Sequence, residues 1–413
     1  MITPTEEKLL SSIDRKELIS LTGNLVKIDS VIRPEKGNTE HEVVKFIENW
    51  LKSELSIEPL VYEVSPGREN LVATIDSKVE GPCLMLEGHT DVVSEGERQS
   101  WRYNPFGGQV EGGRIYGRGS CDMKAGLAVN LVTLKALLKS GVGFKGKIRL
   151  GFVCDEEGMM TGIKDFINRG WADDVDAALI PEPEENQLCV SMKGAIRAVV
   201  RVKGKMAHGC MPLSGINPNT RLARIILKVE EYEGREKQRC GKDEFLGYPS
   251  LTFTVIQSPP EGSVAQLNVM PGEAVAYLDI RTTPAQSHDQ LRSLRSDLRE
   301  ILKNLAAADP DFNAEIDFIE ERPVVTTDRD EAIVRSAATA YRDITGRDPL
   351  YNGVPGATDG TFLRAWKDIP CLVNGPGPRH MPHQNDEYVE IDELYEAARI
   401  YAITAFRYLQ GEA

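Results

Sequence analysis

Three short apolar runs in the first half of the chain each stop at a turn built from the residue types that hold metal ions and move protons. Cys83 to Glu87 leads into Gly88-His89-Thr90-Asp91, Lys147 to Cys154 into Asp155-Glu156-Glu157-Gly158, and Asp176 to Ile180 into Pro181-Glu182-Pro183-Glu184. Runs of this length and apolarity read as buried strands, and helical patterning from Asp122 to Ser140 and from Gly162 to Arg169 separates them. Strands alternating with helices predict an α/β fold around a mostly parallel sheet. Ligands bind such sheets in the crevice beyond the carboxyl ends of the strands, so topology alone would bring the three turns to one edge.

Two more clusters have the same character: Gly119-Ser120-Cys121-Asp122-Met123-Lys124 and His380-Met381-Pro382-His383-Gln384-Asn385-Asp386-Glu387. Taken singly, each cluster has an ordinary structural reading. His89 can be a hydrogen-bonded structural histidine, Asp122 a helix N-cap, Asp155-Glu156-Glu157 a charged loop opening a helix, and Glu182 a solvated turn between prolines. Those readings leave unexplained why acids follow directly on apolar strands at one sheet edge several times over. Histidine and carboxylate ligands without cysteine favour hydrolytic Zn2+, Mn2+ or Co2+ chemistry over a structural zinc. Of two adjacent glutamates, one can ligate a metal while its neighbour handles the proton of the attacking water. Asp91, two positions beyond His89, is placed to accept the imidazole's other N–H and so set its tautomer.

Upstream, Ile13 to Leu25 and Glu40 to Leu55 read as helices, the second with Val43, Val44, Ile47, Trp50 and Leu51 on one stripe. Near Ser191 the pattern changes. Strand Gly194 to Val202, helix Asn217 to Glu231, strands Ser250 to Gln257 and Glu273 to Asp279, helix Ser287 to Ala306 and strand Phe312 to Ile319 follow in the βαββαβ order of a ferredoxin-like α+β unit. The charged segment Glu230 to Gly241 reads as a solvated loop. Helical patterning resumes from Glu331 to Thr345 and from Glu390 to Leu409, with a short buried strand from Pro370 to Asn374. The expected organisation is a catalytic domain in two parts, residues 1–190 and 322–413, interrupted by an inserted domain at 191–321. A chain of 413 residues has room for both.

Composition narrows the partners. With 49 Lys+Arg against 63 Asp+Glu the formal net charge is −14, so no general field attracts nucleic acid or anionic membrane. No run approaches the roughly 18 apolar residues of a membrane span. Seven scattered cysteines without a Cys-x-x-Cys pair argue against a disulfide framework or a thiolate zinc site. The polar, charged start MITPTEEKLLSSIDRKELIS lacks the apolar run of a secretory signal, and the expected setting is cytoplasmic.

Gly88-His89-Thr90-Asp91-Val92-Val93, Gly117-Arg118-Gly119-Ser120-Cys121-Asp122-Met123-Lys124-Ala125-Gly126, Asp155-Glu156-Glu157-Gly158, Glu182-Pro183 and His383-Gln384-Asn385-Asp386-Glu387-Tyr388 together resemble the M20 family of metallopeptidases and amidohydrolases. That family includes acetylornithine deacetylase, succinyl-diaminopimelate desuccinylase, aminoacylase and glutamate carboxypeptidase. The motifs run in order along nearly the whole chain. The resemblance implies a phosphorylase/hydrolase-like catalytic domain with an inserted ferredoxin-like lid and dimerisation domain. It also implies two divalent metal ions, Zn2+ first, with Mn2+ or Co2+ as alternatives. His89, Asp122 and Glu182 would hold one ion and Asp122, Glu157 and His383 the other, with Asp122 bridging and Glu156 as the general base. His383 is preferred to His380 because it precedes Glu387 by four positions, as the family's histidine precedes a glutamate.

In the inserted domain, Lys205-Met206-Ala207-His208-Gly209 resembles the segment whose histidine reaches across a homodimer interface to stabilise the tetrahedral oxyanion; the other reading of His208 is a polar turn residue. Asn268 and Arg281 resemble the family's substrate-binding pair, Arg281 offering a planar fork to a substrate carboxylate. Gly356 and Asp359 resemble a loop that lines the site, although Ala357 and Gly360 depart from its commoner pattern. The expected activity is hydrolysis of an amide C–N bond, removing the acyl group from a small N-acyl amino acid. A dipeptidase or carboxypeptidase, or a hydrolytic deaminase of an amino-substituted acid, would use the same ligand motifs. A catalytically dead binding protein is the alternative of another class.

Overall fold

The computed structural model describes residues 1–286 and 288–411. They form two compact units, one comprising Met1–Val190, Thr326–Val354 and the chain from Thr358 onward, the other Ser191–Val325 with Pro355–Ala357.

At the centre of the first unit lie four parallel strands in the order Lys147–Val153, Cys83–His89, Ala177–Pro183 and Cys371–Gly375. They are buried almost end to end, which is why they read as mostly apolar runs instead of regularly alternating ones. Around this parallel centre the sheet is antiparallel. Arg68–Asp76 runs against Lys147–Val153, Leu60–Ser65 against Arg68–Asp76, and Leu188–Met192 against Cys371–Gly375. Leu60–Ser65 escapes the sequence reading because it is an edge strand with no buried face to impose alternation.

The helices of this unit follow local signals. Asp14 caps Arg15–Lys27 by accepting the N–H groups of Lys16 and Glu17. His41–Leu55 buries Val43, Val44, Ile47, Leu51 and Leu55. Trp50 sits at the margin of that stripe, half-buried, with the Lys135 ammonium 5.8 Å from its ring centroid. Lys124–Lys139 is buried on nearly every side. Its Gly126 lies so close to the sheet that a Cβ would come within 2.3 Å of the Pro181 carbonyl oxygen.

The second unit is an antiparallel sheet in the order Ser250–Gln257, Glu273–Thr282, Gly194–Lys203, Asn313–Arg322. Helices Pro218–Cys240 and His288–Ala308 pack against it, burying Leu222, Ile225, Leu294 and Leu298 with Val200, Leu251, Leu278 and Ile280 of the strands. The chain order is βαββαβ with the ferredoxin-like arrangement of strands. One expectation fails here. Glu230 to Cys240 is not a loop, because the helix continues: Leu222, Ile225, Val229, Tyr232 and Glu236 keep one buried stripe, and the remaining charges lie off it. Ser287, where the sequence starts the second helix, lies outside the described residues. Among the described residues no helix is long and apolar enough to cross a membrane.

Candidate metal centre

The carboxyl ends of the parallel strands bring the predicted turns together. His89 ends its strand, Glu182 lies near the end of Ala177–Pro183, Glu156 and Glu157 follow Lys147–Val153, and Cys371–Gly375 leads on to His383. Asp122 comes from the turn before helix Lys124–Lys139. That helix has Met123 at its N-cap position and no side-chain cap, so the Asp122 carboxylate does not serve as one. Its two oxygens face two histidines instead: Oδ1 is 3.1 Å from His89 Nε2 and Oδ2 is 3.5 Å from His383 Nε2. His89 Nε2 also lies 3.7 Å from Glu182, and His383 Nε2 lies 3.0 Å from Glu157. One ligand atom each from His89, Asp122 and Glu182 lies within 4.8 Å of the others, and so it is for Asp122, Glu157 and His383. Asp122 belongs to both groups. His380 is exposed and belongs to neither.

Charge at this site is far from balanced. Burial pushes the carboxyls of Glu156 and Glu182 well above the usual range, and the neighbouring acids push them further; Glu157 is raised for the same reasons. Asp122 moves the other way: burial would raise it, but its bonds with His383 and His89 hold it low. The bonds to Asp122 and Glu157 in turn push His383 up to about 10. Burial opposes a charged His89, yet Asp122, Asp91 and Glu182 outweigh it and hold this imidazole well above its ordinary value. Four buried or nearly buried acids thus face two imidazoles. Imidazole and carboxylate donors, two ligand groups that share one carboxylate, and excess buried negative charge are together a donor set that fits a pair of divalent cations.

The role expected of Asp91 is divided between its main chain and its side chain. His89 Nδ1 is 3.0 Å from the Asp91 carbonyl oxygen and 3.6 Å from its carboxylate. A carbonyl only accepts, so Nδ1 carries a proton, and Nε2, the nitrogen that faces Asp122, is the one left to bind a cation in place of its own proton. The Asp91 carboxylate accepts the main-chain N–H groups of Glu156 and Glu157, each at 3.1 Å. Asp155, at φ 68°, braces the same turn by accepting from the Thr161 hydroxyl at 2.6 Å and from Arg68 at 2.6 Å.

The predicted residues of the second unit are arranged as follows. His208 is exposed on the short strand Ala207–His208, paired with Val269–Met270, and the Asn268 carbonyl accepts the Gly209 N–H at 2.7 Å. His208 Nδ1 accepts the Cys210 N–H at 3.1 Å, so the neutral ring carries its proton on Nε2. Arg281 is already bonded through Nε and one Nη to Asp279, at 2.7 and 3.1 Å. Gly356 groups with this unit, whereas Asp359 of the same motif is buried in the first. Asp359 lies beside Glu87, an acid that the sequence reading missed. Burial pushes the Glu87 carboxyl up to about 8 and raises Asp359 well above its usual range. The signal for Glu87 was available: an acid inside an apolar strand, two positions from His89 and on the same face.

Known proteins share this fold and resemble this chain along most of its length. The family model described as peptidase family M20/M25/M40 matches residues 85–407. A Staphylococcus aureus (strain MSSA476) protein named "Probable succinyl-diaminopimelate desuccinylase" is 28% identical over 421 residues, covering 97% of this chain and 100% of the relative. The succinyl-diaminopimelate desuccinylase of Methylobacterium sp. (strain 4-46) is 30% identical over 400 residues, covering 93% of this chain and 94% of the relative. Among solved structures, an M20 family metallo-carboxypeptidase from Sulfolobus solfataricus superposes with a TM-score of 0.78, covering 95% of this chain and 99% of that one. At 19% identity it shows the shared fold alone. The chain belongs to peptidase family M20/M25/M40 and is a hydrolase acting on C–N bonds.

Proposed function

We propose that this chain deacylates an N-acyl amino acid, and that N-succinyl amino acids are its first candidates, in line with the names of the two relatives. The observation that carries the reading is Asp122, whose two carboxylate oxygens each face a different histidine Nε2, at 3.1 and 3.5 Å. His89, Asp122 and Glu182 would hold one divalent ion, and Asp122, Glu157 and His383 the second, with Zn2+ as the first candidate. Such ions would supply Lewis acidity, polarising the scissile carbonyl and making an attacking water easier to deprotonate.

The chain's own groups do the rest. Glu156, pinned by Asp91 through its main-chain N–H, takes the proton of the attacking water and returns it to the leaving nitrogen, so that amide and water become carboxylate and amine. His208, with its proton on Nε2, donates to the oxyanion, from the partner subunit of a homodimer if the family's arrangement holds. Arg281 has one Nη not engaged by Asp279, and that edge reads a substrate carboxylate, with Asn268 and Gly356 beside the substrate. We place this chemistry in the cytoplasm.

The test is a panel of N-succinyl and N-acetyl amino acids, dipeptides and amino-substituted acids, assayed with the metal-reconstituted chain. Turnover of the N-acyl compounds, and its loss by roughly 10²–10⁴-fold in Glu156→Ala with metal content unchanged, supports the reading. Turnover of dipeptides alone would replace deacylation by peptidase activity. A Glu156→Ala chain at near-native rate would remove Glu156 as the base.

A further inference from the structure

Beneath the ligand groups lies an ion pair to which no role in the reaction has been given. Arg118 and Glu387 are 2% and 0% exposed and bonded to each other, far apart in sequence but drawn together because strand Tyr388–Glu390 pairs with Arg114–Tyr116. A single lost partner in such a buried pair leaves an uncompensated charge, so its presence needs a reason. What each member holds supplies one. Glu387 Oε1 accepts the main-chain N–H of Cys121 at 2.9 Å and of Asp122 at 3.0 Å. Arg118 donates to the main-chain carbonyls of Gln384 at 3.3 Å, His383 at 3.4 Å and Ser94 at 3.3 Å. The Gly117 N–H, next to Arg118, is held by the Glu387 carbonyl at 2.9 Å.

The pair therefore grips the backbone of two candidate ligands at once, and both belong to the same group. His383 needs that grip more than the others. Its side chain is 51% exposed and its φ is 67°, in the left-handed region that few residues other than glycine occupy. His89 and Glu182, in contrast, stand on strands whose ladders hold them, and His89 has its Nδ1 fixed by the Asp91 carbonyl.

We propose that Arg118 and Glu387 are positioning residues chiefly for the second metal site, the one formed by Asp122, Glu157 and His383, where they hold two of the three ligands; of the first site they touch Asp122 alone, while His89 and Glu182 stand on strands of the parallel sheet. The inference rests on the ligand reading above. The test is equilibrium dialysis of the full chain against Zn2+ alone, with elemental analysis and circular dichroism. The variants are Arg118→Met, the charge-neutral double variant Arg118→Met/Glu387→Gln, and the conservative Arg118→Lys. The native chain should bind two ions. Folded Arg118→Met and the double variant should keep one within a few-fold of native affinity and bind the second roughly 10–100-fold more weakly, the range for loss of a group that orients a ligand, with Arg118→Lys in between. The double variant is included because Arg118→Met alone buries an unpaired carboxylate and can fail to fold. Two ions at native affinity in a folded double variant overturn the inference, and so does equal weakening of both sites. If the native chain itself binds no ion, the ligand reading fails, which is a distinguishable result.

Discussion

Replacing Asp91 by Asn separates two roles that lie on one residue. Its carboxylate accepts the N–H groups of Glu156 and Glu157, each at 3.1 Å, while its carbonyl takes Nδ1 of His89 at 3.0 Å. Each hydrogen bond to a charged acceptor contributes roughly 1.5–3 kcal/mol. An Asn in the same place keeps one acceptor oxygen and turns an amide N–H towards the second donor, so about one bond is lost. If that loss falls on the placement of Glu156, roughly 1.5–3 kcal/mol of transition-state stabilisation disappears, which at about 1.36 kcal/mol per tenfold is a fall of roughly 10- to 150-fold in kcat/KM. The main-chain contact to His89 is untouched, so bound metal should stay at the native level. The assay is kcat/KM on the best substrate at saturating divalent metal, with metal content measured on the same sample. Asp91→Asn within threefold of native would show that the Glu156 turn does not depend on the carboxylate. Loss of metal in step with loss of rate would show that the carboxylate positions metal ligands, His89 or Glu157, and not only the base.

Other perturbations probe separate parts of the structure. Gly126→Ala would place a Cβ within 2.3 Å of the Pro181 carbonyl and should cost about 1–3 kcal/mol in a denaturant titration; a change below about 0.5 kcal/mol would mean that helix and strand separate easily. Adding Zn2+ to metal-stripped protein at about 1,000 times its dissociation constant should stabilise by about 4 kcal/mol per site, read as a rise in Tm. Asp122→Ala, which removes the ligand common to both groups, should abolish most of that rise, and a full rise in this variant would place the metal elsewhere. Mixing a His208→Ala chain with a Glu156→Ala chain should partly restore activity through hybrid dimers; no recovery despite demonstrated subunit exchange would put His208 outside the partner's site.

Local pattern carried much of the fold. Apolar runs such as residues 83–86 and 177–181 announce strands covered on both faces, and the turns after them had to reach one edge because parallel strands end together. The order of strands and helices from Gly194 to Arg322 was equally legible, since elements such as strand Asn313–Arg322 and helix Pro218–Cys240 keep one buried and one wetter face. The helix Pro218–Cys240 was cut short on paper because dense charge resembles a loop when its buried stripe is thin.

What sequence alone determined about this chain was which residue types stand at which strand ends, because that depends on neighbours along the chain. Tertiary structure decided everything that depends on atoms meeting from distant segments. It set the main-chain carbonyl of Asp91, and not its carboxylate, closest to His89 Nδ1, and turned the carboxylate to the Glu156–Glu157 turn. It took Asp122 away from capping its helix and set its two oxygens before two histidines. It also joined Arg118 to Glu387 and set Glu87 near Asp359, neighbours that no local pattern links. The physical reason is common to all of them. A buried polar group must find a partner, and which partner it finds is settled only when packing has excluded water and left one donor or acceptor within reach.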